Sequence, residues 1–379
     1  MCLGCLGRRH NAPGVRGADF RGFTEFRLND DGEILLSASL TNTIPDFKSW
    51  PLGLWFGAPE ALSLVALGDQ QAPDLSDGVT YGEFQLNGIS LANQNRIAFA
   101  TKVRGPGTTE KNNLCLFAGS GEGEIRLVYR EGSPLPGFPD AADVDYAGFN
   151  FAVCDSGRVV MQMTDGIYAW EDGEFSSIAR EGDAAPGFPD YIINNFAAQQ
   201  PVIDPSGRIA FGATLRDLER ERNTKAVYVY DGSLRVAAGR ASRIDLGNGE
   251  IAVVSSADIV NSHITNNSDG RSSSYNSRGQ LLIRAATAKG SCDAIVETDL
   301  GVDGLHNVIR ATIYSAGDMV IAFETEFGKR YLVERSLDGR TWEAVGGESE
   351  GNGSELTIVD EGVGAITKVA FYRIVIRSV

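Results

Sequence analysis

Histidine, methionine and cysteine are scarce in this sequence, and much of the chemistry they support is excluded with them. The three histidines, His10, His263 and His306, stand far apart, and none has a His-Glu-x-x-His or similar metal spacing around it. No Gly-x-Ser-x-Gly element leads into a helical segment. Gly119-Ser-Gly-Glu-Gly123 is followed by neither lysine nor helix, so it reads as a hairpin loop and not a phosphate cradle. Five cysteines occur, and only Cys2 and Cys5 are closely spaced. A single Cys-x-x-Cys lacks the second pair of ligands that structural zinc needs. No apolar run reaches the length of a membrane-spanning helix. The first ten residues hold no apolar segment of the kind a signal peptide requires. Basic charge is also short: 34 Lys and Arg stand against 50 Asp and Glu, a net charge of −16. That balance excludes nucleic acid as a partner, since phosphate contacts need clustered cations, and disfavours anionic membrane surfaces.

What the chain has in plenty is glycine, 45 residues of it, against four methionines. Much of that glycine falls in a repeat. A polar turn followed by a short apolar strand recurs five times: Asn29-Asp-Asp-Gly-Glu-Ile-Leu-Leu, Asn93-Gln-Asn-Arg-Ile-Ala-Phe-Ala, Asp155-Ser-Gly-Arg-Val-Val-Met, Asp204-Pro-Ser-Gly-Arg-Ile-Ala-Phe and Asn276-Ser-Arg-Gly-Gln-Leu-Leu-Ile. The turn positions are Gly32, Asn95, Gly157, Gly207 and Gly279, which lie 63, 62, 50 and 72 residues apart. Asparagine is the best stand-in for glycine where φ must be positive, so Asn95 supports the turn instead of breaking the pattern.

The shortest interval sets the unit. Val159–Met163, Gly166–Trp170 and Phe175–Arg180 read as three strands, with a fourth inside Tyr191–Ile203, and Asp172-Gly173 marks a hairpin. Four short strands in about fifty residues is the size of a propeller blade. In Ile209-Ala-Phe-Gly-Ala213 neither face carries charge, nor does either face of Ile97-Ala-Phe-Ala100. Such strands are expected to be buried on both sides, as stacked blades require.

A second element, Arg130-Glu131-Gly-Ser-Pro-Leu-Pro-Gly-Phe-Pro-Asp140, returns as Arg180-Glu181-Gly-Asp-Ala-Ala-Pro-Gly-Phe-Pro-Asp190 and, degraded, as Ala66–Pro73. Because Arg130, Glu131, Arg180 and Glu181 recur with the repeat, they are expected to anchor loops. Asn11-Ala-Pro-Gly14 matches the tail of this element, so the N-terminus is expected to start in mid-blade. From about residue 306 the texture changes. Val308–Ser315, Met319–Thr325, Arg330–Ser336, Trp342–Val345, Glu355–Val359 and Lys368–Ile376 read as six strands, enough for a compact sandwich. The expected fold is therefore all-β: a β-propeller of about five four-stranded blades over 1–305, then a small β-sandwich over 306–379.

Over roughly residues 10 to 300 these motifs resemble the bacterial tandem-repeat proteins built on Asn-x-x-Gly-x-x-Ala-Phe followed by Arg-Glu-Gly-Asp-x-x-Pro-Gly. The third copy departs from it, with Val159-Val-Met161 in place of the Val-Ala-Phe pattern. The run Phe323–Gly328, Tyr331–Glu334, Trp342 and Phe371-Tyr-Arg373 is similar to a β-sandwich appended to bacterial extracellular proteins. The resemblance implies a secreted or surface-associated protein and names no activity.

Conspicuous polar residues mostly follow the repeat, and a catalytic constellation is normally unique. The expectation is thus a non-catalytic extracellular or cell-surface binding protein whose partner is a protein or a polysaccharide. The alternative is a carbohydrate-binding or carbohydrate-active propeller: a lectin, using aromatics such as Trp55 and Trp170, or a glycosidase or lyase with paired carboxylates. Asp31, Asp155, Asp204 and the non-repeated Asp145 are the acids to consider. No cofactor is expected; Asn29–Gly32 has oxygen ligands that suit calcium but lacks the further carboxylates of an EF-hand. Leu215–Arg222, the one charged helix-like run, reads as a solvated excursion between strands.

Overall fold

The computed structural model describes residues 11–41, 52–140, 150–196, 200–220, 222–245, 251–260, 274–276, 278–288, 290–298, 310–313, 319–325, 329–337, 341–351, 355–361 and 371–378. Among these residues every regular element is a strand, and all strand pairings are antiparallel.

The strands form small sheets in chain order. The first holds β1 (Phe20–Leu28), β2 (Ile34–Leu40), β3 (Leu52–Gly57) and β4 (Ser63–Leu67). The second holds β5 (Thr80–Leu91), β6 (Arg96–Arg104), β7 (Leu114–Ser120) and β8 (Ile125–Arg130). The third holds β9 (Asn150–Val153), β10 (Val159–Met163), β11 (Gly166–Glu171) and β12 (Glu174–Arg180). In the fourth, β13 (Tyr191–Phe196) and β14 (Val202–Ile203) lie end to end along β15 (Ile209–Asp217), followed by β16 (Asn223–Tyr230) and β17 (Leu234–Ala238). The fifth runs β18 (Arg243–Asp245), β19 (Ile251–Ile259), β20 (Gln280–Thr287) and β21 (Gly290–Glu297).

The repeat turn sets the register. It pairs the residue just before it with the residue six positions on: Leu28 with Ile34, Leu91 with Ile97, Val153 with Val159, Ile203 with Ile209, and Tyr275 with Leu281. In all five copies the first turn residue donates its amide to the carbonyl four residues on, from Asn29 to Glu33 through Asn276 to Gln280. The fourth position bends with positive φ: 80° at Gly32, 60° at Asn95, 93° at Gly157, 93° at Gly207 and 73° at Gly279. This hairpin corrects the expected grouping of strands. Because the turn joins the strand before it to the strand after it, Tyr191–Phe196 opens the fourth sheet and does not complete the third. By the same pairing the first sheet is built of four strands, and Asn11–Asp19 precedes the first of them.

Consecutive sheets stack face to face, and side-chain alternation decides what each face meets. Ile97 and Phe99 pack with Leu35, Leu54 and Phe56 of the first sheet, while Ala98 and Ala100 pack with Phe151 and Met161 of the third. Ile209, Phe211 and Ala213 join Val160 and Ile167 of the third sheet, while Ala210 joins Leu281 and Ile283 of the fifth. Strands with two apolar faces are therefore buried on both, and each such large side chain contributes about 1.5–3 kcal/mol. The small residues let neighbouring sheets approach.

The turns also bond to one another. Asn29 donates to the Ala92 carbonyl at 3.2 Å, and Asp30 N to Asn93 Oδ1 at 3.1 Å. Asn93 N and Nδ2 donate to Asp155 at 3.0 and 3.1 Å, Arg158 to the Gly207 carbonyl at 3.4 Å, and Arg208 lies over the Tyr275 ring at 5.7 Å. One end of the strands thus carries these turns. The other end carries the linkers between sheets and the tips of the second hairpins.

The described C-terminal residues form six strands in two three-stranded sheets. One is ordered β22 (Arg310–Ile313), β23 (Met319–Glu324), β26 (Glu355–Asp360); the other is β25 (Glu343–Glu350), β24 (Lys329–Ser336), β27 (Phe371–Ser378). Ile321 and Phe323 of one face Tyr331, Val333, Tyr372 and Ile374 of the other. Asp360 ties the sheets together, accepting from Tyr372 Oη at 2.7 Å and from Arg335 Nη1 at 3.0 Å.

Candidate functional site

The recurrent polar residues singled out in the sequence are occupied in building the fold. Asp155 receives Asn93, Asp31 receives the Gln94 amide at 3.4 Å, and Asp204 is paired with Arg208. Arg130 donates Nε to the Asn112 carbonyl at 2.7 Å, and buried Glu131 accepts the Leu114 amide at 3.4 Å. Arg180 pairs with Asp165 at 2.7 Å, and the Glu181 amide donates to the Asp165 carbonyl at 2.8 Å while its side chain is exposed. Trp55, weighed as an exposed platform for sugar, is fully buried against Phe20 and donates Nε1 to the Pro13 carbonyl. Trp170 is half-buried against the core shared by the second and third sheets. His10, His263, His306, Cys2, Cys5 and Asp145 lie outside the described residues. Among the described residues, no three His, Cys, Asp or Glu side chains cluster as a metal site would require.

The site that stands out gathers stretches that the sequence presents as a loop motif, Arg180–Asp190, and as a solvated excursion, Leu215–Arg222, and not as a site. At the linker end of the fourth sheet an open cleft of about 300 Å³ lies between three loops: Gly187–Tyr191, Asp217–Arg220 and Arg240–Ala241. The first loop is held by its own backbone. Phe188 N donates to the Ala185 carbonyl, Tyr191 N to Phe188, and Ala185 N to Tyr191. Phe188 is thereby pressed into the core beside Gly239, where a Cβ would fall 2.7 Å from its ring. The second loop is the tip of the β15–β16 hairpin, closed by the Asp217 amide on the Arg222 carbonyl and tied to the first loop by the Leu218 amide on the Asp190 carbonyl, each 2.9 Å. Asp217 caps this tip, with Oδ1 accepting the Glu219 and Arg220 amides at 2.9 and 3.0 Å. The third loop supplies Arg240, whose Nη1 donates to the Tyr191 hydroxyl at 2.7 Å.

Burial pulls the Asp217 carboxyl upward. The Arg220 and Glu219 amides, the Tyr191 hydroxyl and the nearby Arg220 charge outweigh that pull, so the group is held below the usual carboxylate range. It is an anion at neutral pH and a poor proton donor. The cleft therefore offers an aromatic wall of Tyr191 and Phe188, carboxylate acceptors and guanidinium donors on one concave surface.

The cleft also lies where the repeat breaks down. Arg180 N donates to Asp183 Oδ2, and Gly182 follows with φ of 90°; in the next linker Gly239 N donates to Ser242 Oγ, and Ala241 has φ of 71°. Gly239-Arg-Ala-Ser242 is thus a divergent copy of Arg180-Glu-Gly-Asp183, with Arg240 standing where Glu181 stands. The hairpin tip differs as well: the third sheet turns there in Thr164-Asp165, whereas the fourth extends through Leu218–Arg222.

A family model described as "Family of unknown function (DUF7453)" matches the chain twice, over residues 6–162 and 143–296. No curated protein matches it. Among solved structures, the exo-inulinase of Aspergillus awamori is 10% identical, with 88% of this chain and 75% of that chain covered and a TM-score of 0.31. The GH93 α-L-arabinofuranosidase of Fusarium graminearum with arabinobiose is 9% identical, covering 79% and 88%, at a TM-score of 0.28. The Aleuria aurantia lectin in complex with Fucalpha1-6GlcNAc is 13% identical, covering 87% and 95%, at 0.25. Since glycoside hydrolases stand among these neighbours, the expectation that the chain lacks catalytic activity is withdrawn. None of their chemistry is carried onto residues of this chain. No helix among the described residues is long and apolar enough to cross a membrane.

Proposed function

Because the chain belongs to this family of unknown function, its role has to be argued from its own geometry, and we propose a β-propeller that binds saccharide at the fourth-sheet cleft. Five small antiparallel sheets, stacked in chain order and coupled turn to turn, are the blades in this reading. The observation that carries the binding role is the cleft itself. It is concave, of about 300 Å³, at the low end for ligand sites, and it combines two aromatic rings with converging charged donors and acceptors. A sugar has an apolar face that beds on an aromatic ring and a rim of hydroxyls that need both donors and acceptors. The cleft also occurs where the repeat departs from itself, as a unique site must. An extracellular or cell-surface setting, where polysaccharides are met, suits this role.

The test is a glycan array with the full chain, followed by titration calorimetry on the best ligand and assay of reducing-end release. Binding should weaken at least about tenfold in Tyr191→Ala, which removes the ring and the hydroxyl together. Asp217→Asn tests whether any turnover draws on that anion. If no glycan binds, or Tyr191→Ala binds as the native chain does, the cleft is not a saccharide site.

A further inference from the structure

The cleft holds two arginines, Arg220 and Arg240, that make no salt bridge among the described residues, although the Arg220 charge lies near Asp217. In the third and fourth sheets Arg158 pairs with Glu171, Arg180 with Asp165, Arg208 with Asp204 and Arg235 with Asp231, while the exposed Arg216 and Arg222, which do not line the cleft, have no ion pair among the described residues. Arg240 spends one N–H on the Tyr191 hydroxyl. Arg220 contributes its backbone amide to Asp217, and its side chain is exposed. Both line the same cleft. At the position of Arg240 the earlier linkers carry Glu131 and Glu181, so the repeat reverses its charge at the cleft.

Resting on the saccharide reading, we propose that the cleft selects a carboxylate-bearing sugar, a uronate unit, which Arg220 and Arg240 grip while its ring lies on Tyr191. A guanidinium presents parallel N–H donors that match a planar carboxylate, and such charge-assisted pairs are the strong polar contacts. Tyr191 holds the Arg240 fork in place, which reduces what is lost on binding. The acids in the cleft set a limit on the ligand. Asp217 is already satisfied by two amides and a hydroxyl, but Asp190 and Glu219 repel a small free anion. A carboxylate is therefore held when a sugar ring brings it in, and inorganic phosphate or acetate is not.

The experiment titrates the full chain with oligogalacturonate and with its methyl ester, which keeps the sugar and removes the charge. The free acid should bind at least about tenfold more tightly than the ester. Arg240→Gln and Arg220→Gln should each cost about tenfold for the acid and distinctly less for the ester, so that the preference for the acid narrows, and Arg240→Lys should fall between. Both side chains are exposed, and unchanged melting temperatures would show the variants folded. Phosphate and acetate should not displace the acid. Equal binding of acid and ester, native-like binding by both glutamine variants, or displacement by phosphate would overturn the inference. If a neutral glycan still binds and is lost in Tyr191→Ala, the saccharide reading survives that failure; if no glycan binds, both fall.

Discussion

Consider Asp204→Ala in the fourth repeat turn. The carboxylate is 0% exposed and accepts from Ser206 Oγ at 2.8 Å, Arg208 N at 2.9 Å and Arg208 Nε at 2.7 Å. The Arg208 side chain is 17% exposed and reaches the Tyr275 ring beside the fifth sheet. Alanine removes the acceptor from the turn amide and leaves a guanidinium mostly shut away without its counter-charge. Breaking a buried pair from one side costs about 3–5 kcal/mol. Since Arg208 keeps some access to water, the lower end applies, about 3 kcal/mol. Asp204→Asn keeps Oδ1 as an acceptor for the amide and loses the charge, so about 1–2 kcal/mol is expected. Urea unfolding, compared at unchanged m, gives both numbers. If Asp204→Ala cost less than about 1 kcal/mol, or cost no more than asparagine, the turn would not depend on this ion pair, and the account of how the fourth and fifth sheets are joined would fail.

At Gly207, with φ of 93° and no atom nearer than 3.9 Å to a Cβ, alanine is expected to cost about 1–2 kcal/mol through backbone strain alone. Asn95→Gly should cost nothing, and the reverse order in urea midpoints would rule the turn geometry out. Asp217 has a lowered folded pKa, so its contribution is present above the ordinary carboxylate value and is lost as pH falls through the folded one. Carboxyl-carbon NMR should place its midpoint below about 3.9, the unperturbed aspartate value, and Asp217→Asn should flatten the acid limb of stability; a midpoint at or above that value contradicts the network. Burial pushes the Cys115 thiol up to about 12, partly opposed by Arg130 and reinforced by Glu131. Peptide mass spectrometry should find Cys115 unlabelled by iodoacetamide in the native chain at pH 8 and labelled once the chain is denatured; native labelling would refute its burial.

Much of the fold was legible because it depends on local rules. The sign of φ at Asn95 follows from its place in the Asn-x-x-Gly pattern, and the two-sided burial of Ile97–Ala100 follows from an alternation without charge. The six C-terminal strands were visible as runs bounded by turns. Assignment of Tyr191–Phe196 to a sheet was not, since a period of fifty residues does not say where the unit begins; hairpin pairing does. The cleft was hidden for a different reason. Leu218–Arg222 has no apolar periodicity, Gly239–Ser242 shares no residue type with Arg180–Asp183 at the same positions, and Phe188 belongs to a repeated motif. Only the Leu218–Asp190 backbone bond and the Arg240–Tyr191 side-chain bond reveal that these three stretches meet. What marked the site was the failure of the repeat to repeat, a signal that a search for recurrence passes over.

The two ends of the strands have different freedom to change. Where Asn29, Asn93, Asp155 and Arg158 reach across to the next sheet, each residue serves two sheets at once, and a substitution disturbs both. At the opposite end, a hairpin tip such as Leu218–Arg222 can be lengthened or recharged while every coupling between turns stays in place. Ligand choice and mechanical integrity are thus written into separate parts of the same repeat. A lineage built on this plan can acquire a new specificity by editing one loop, with no renegotiation of the joints that keep the sheets in line.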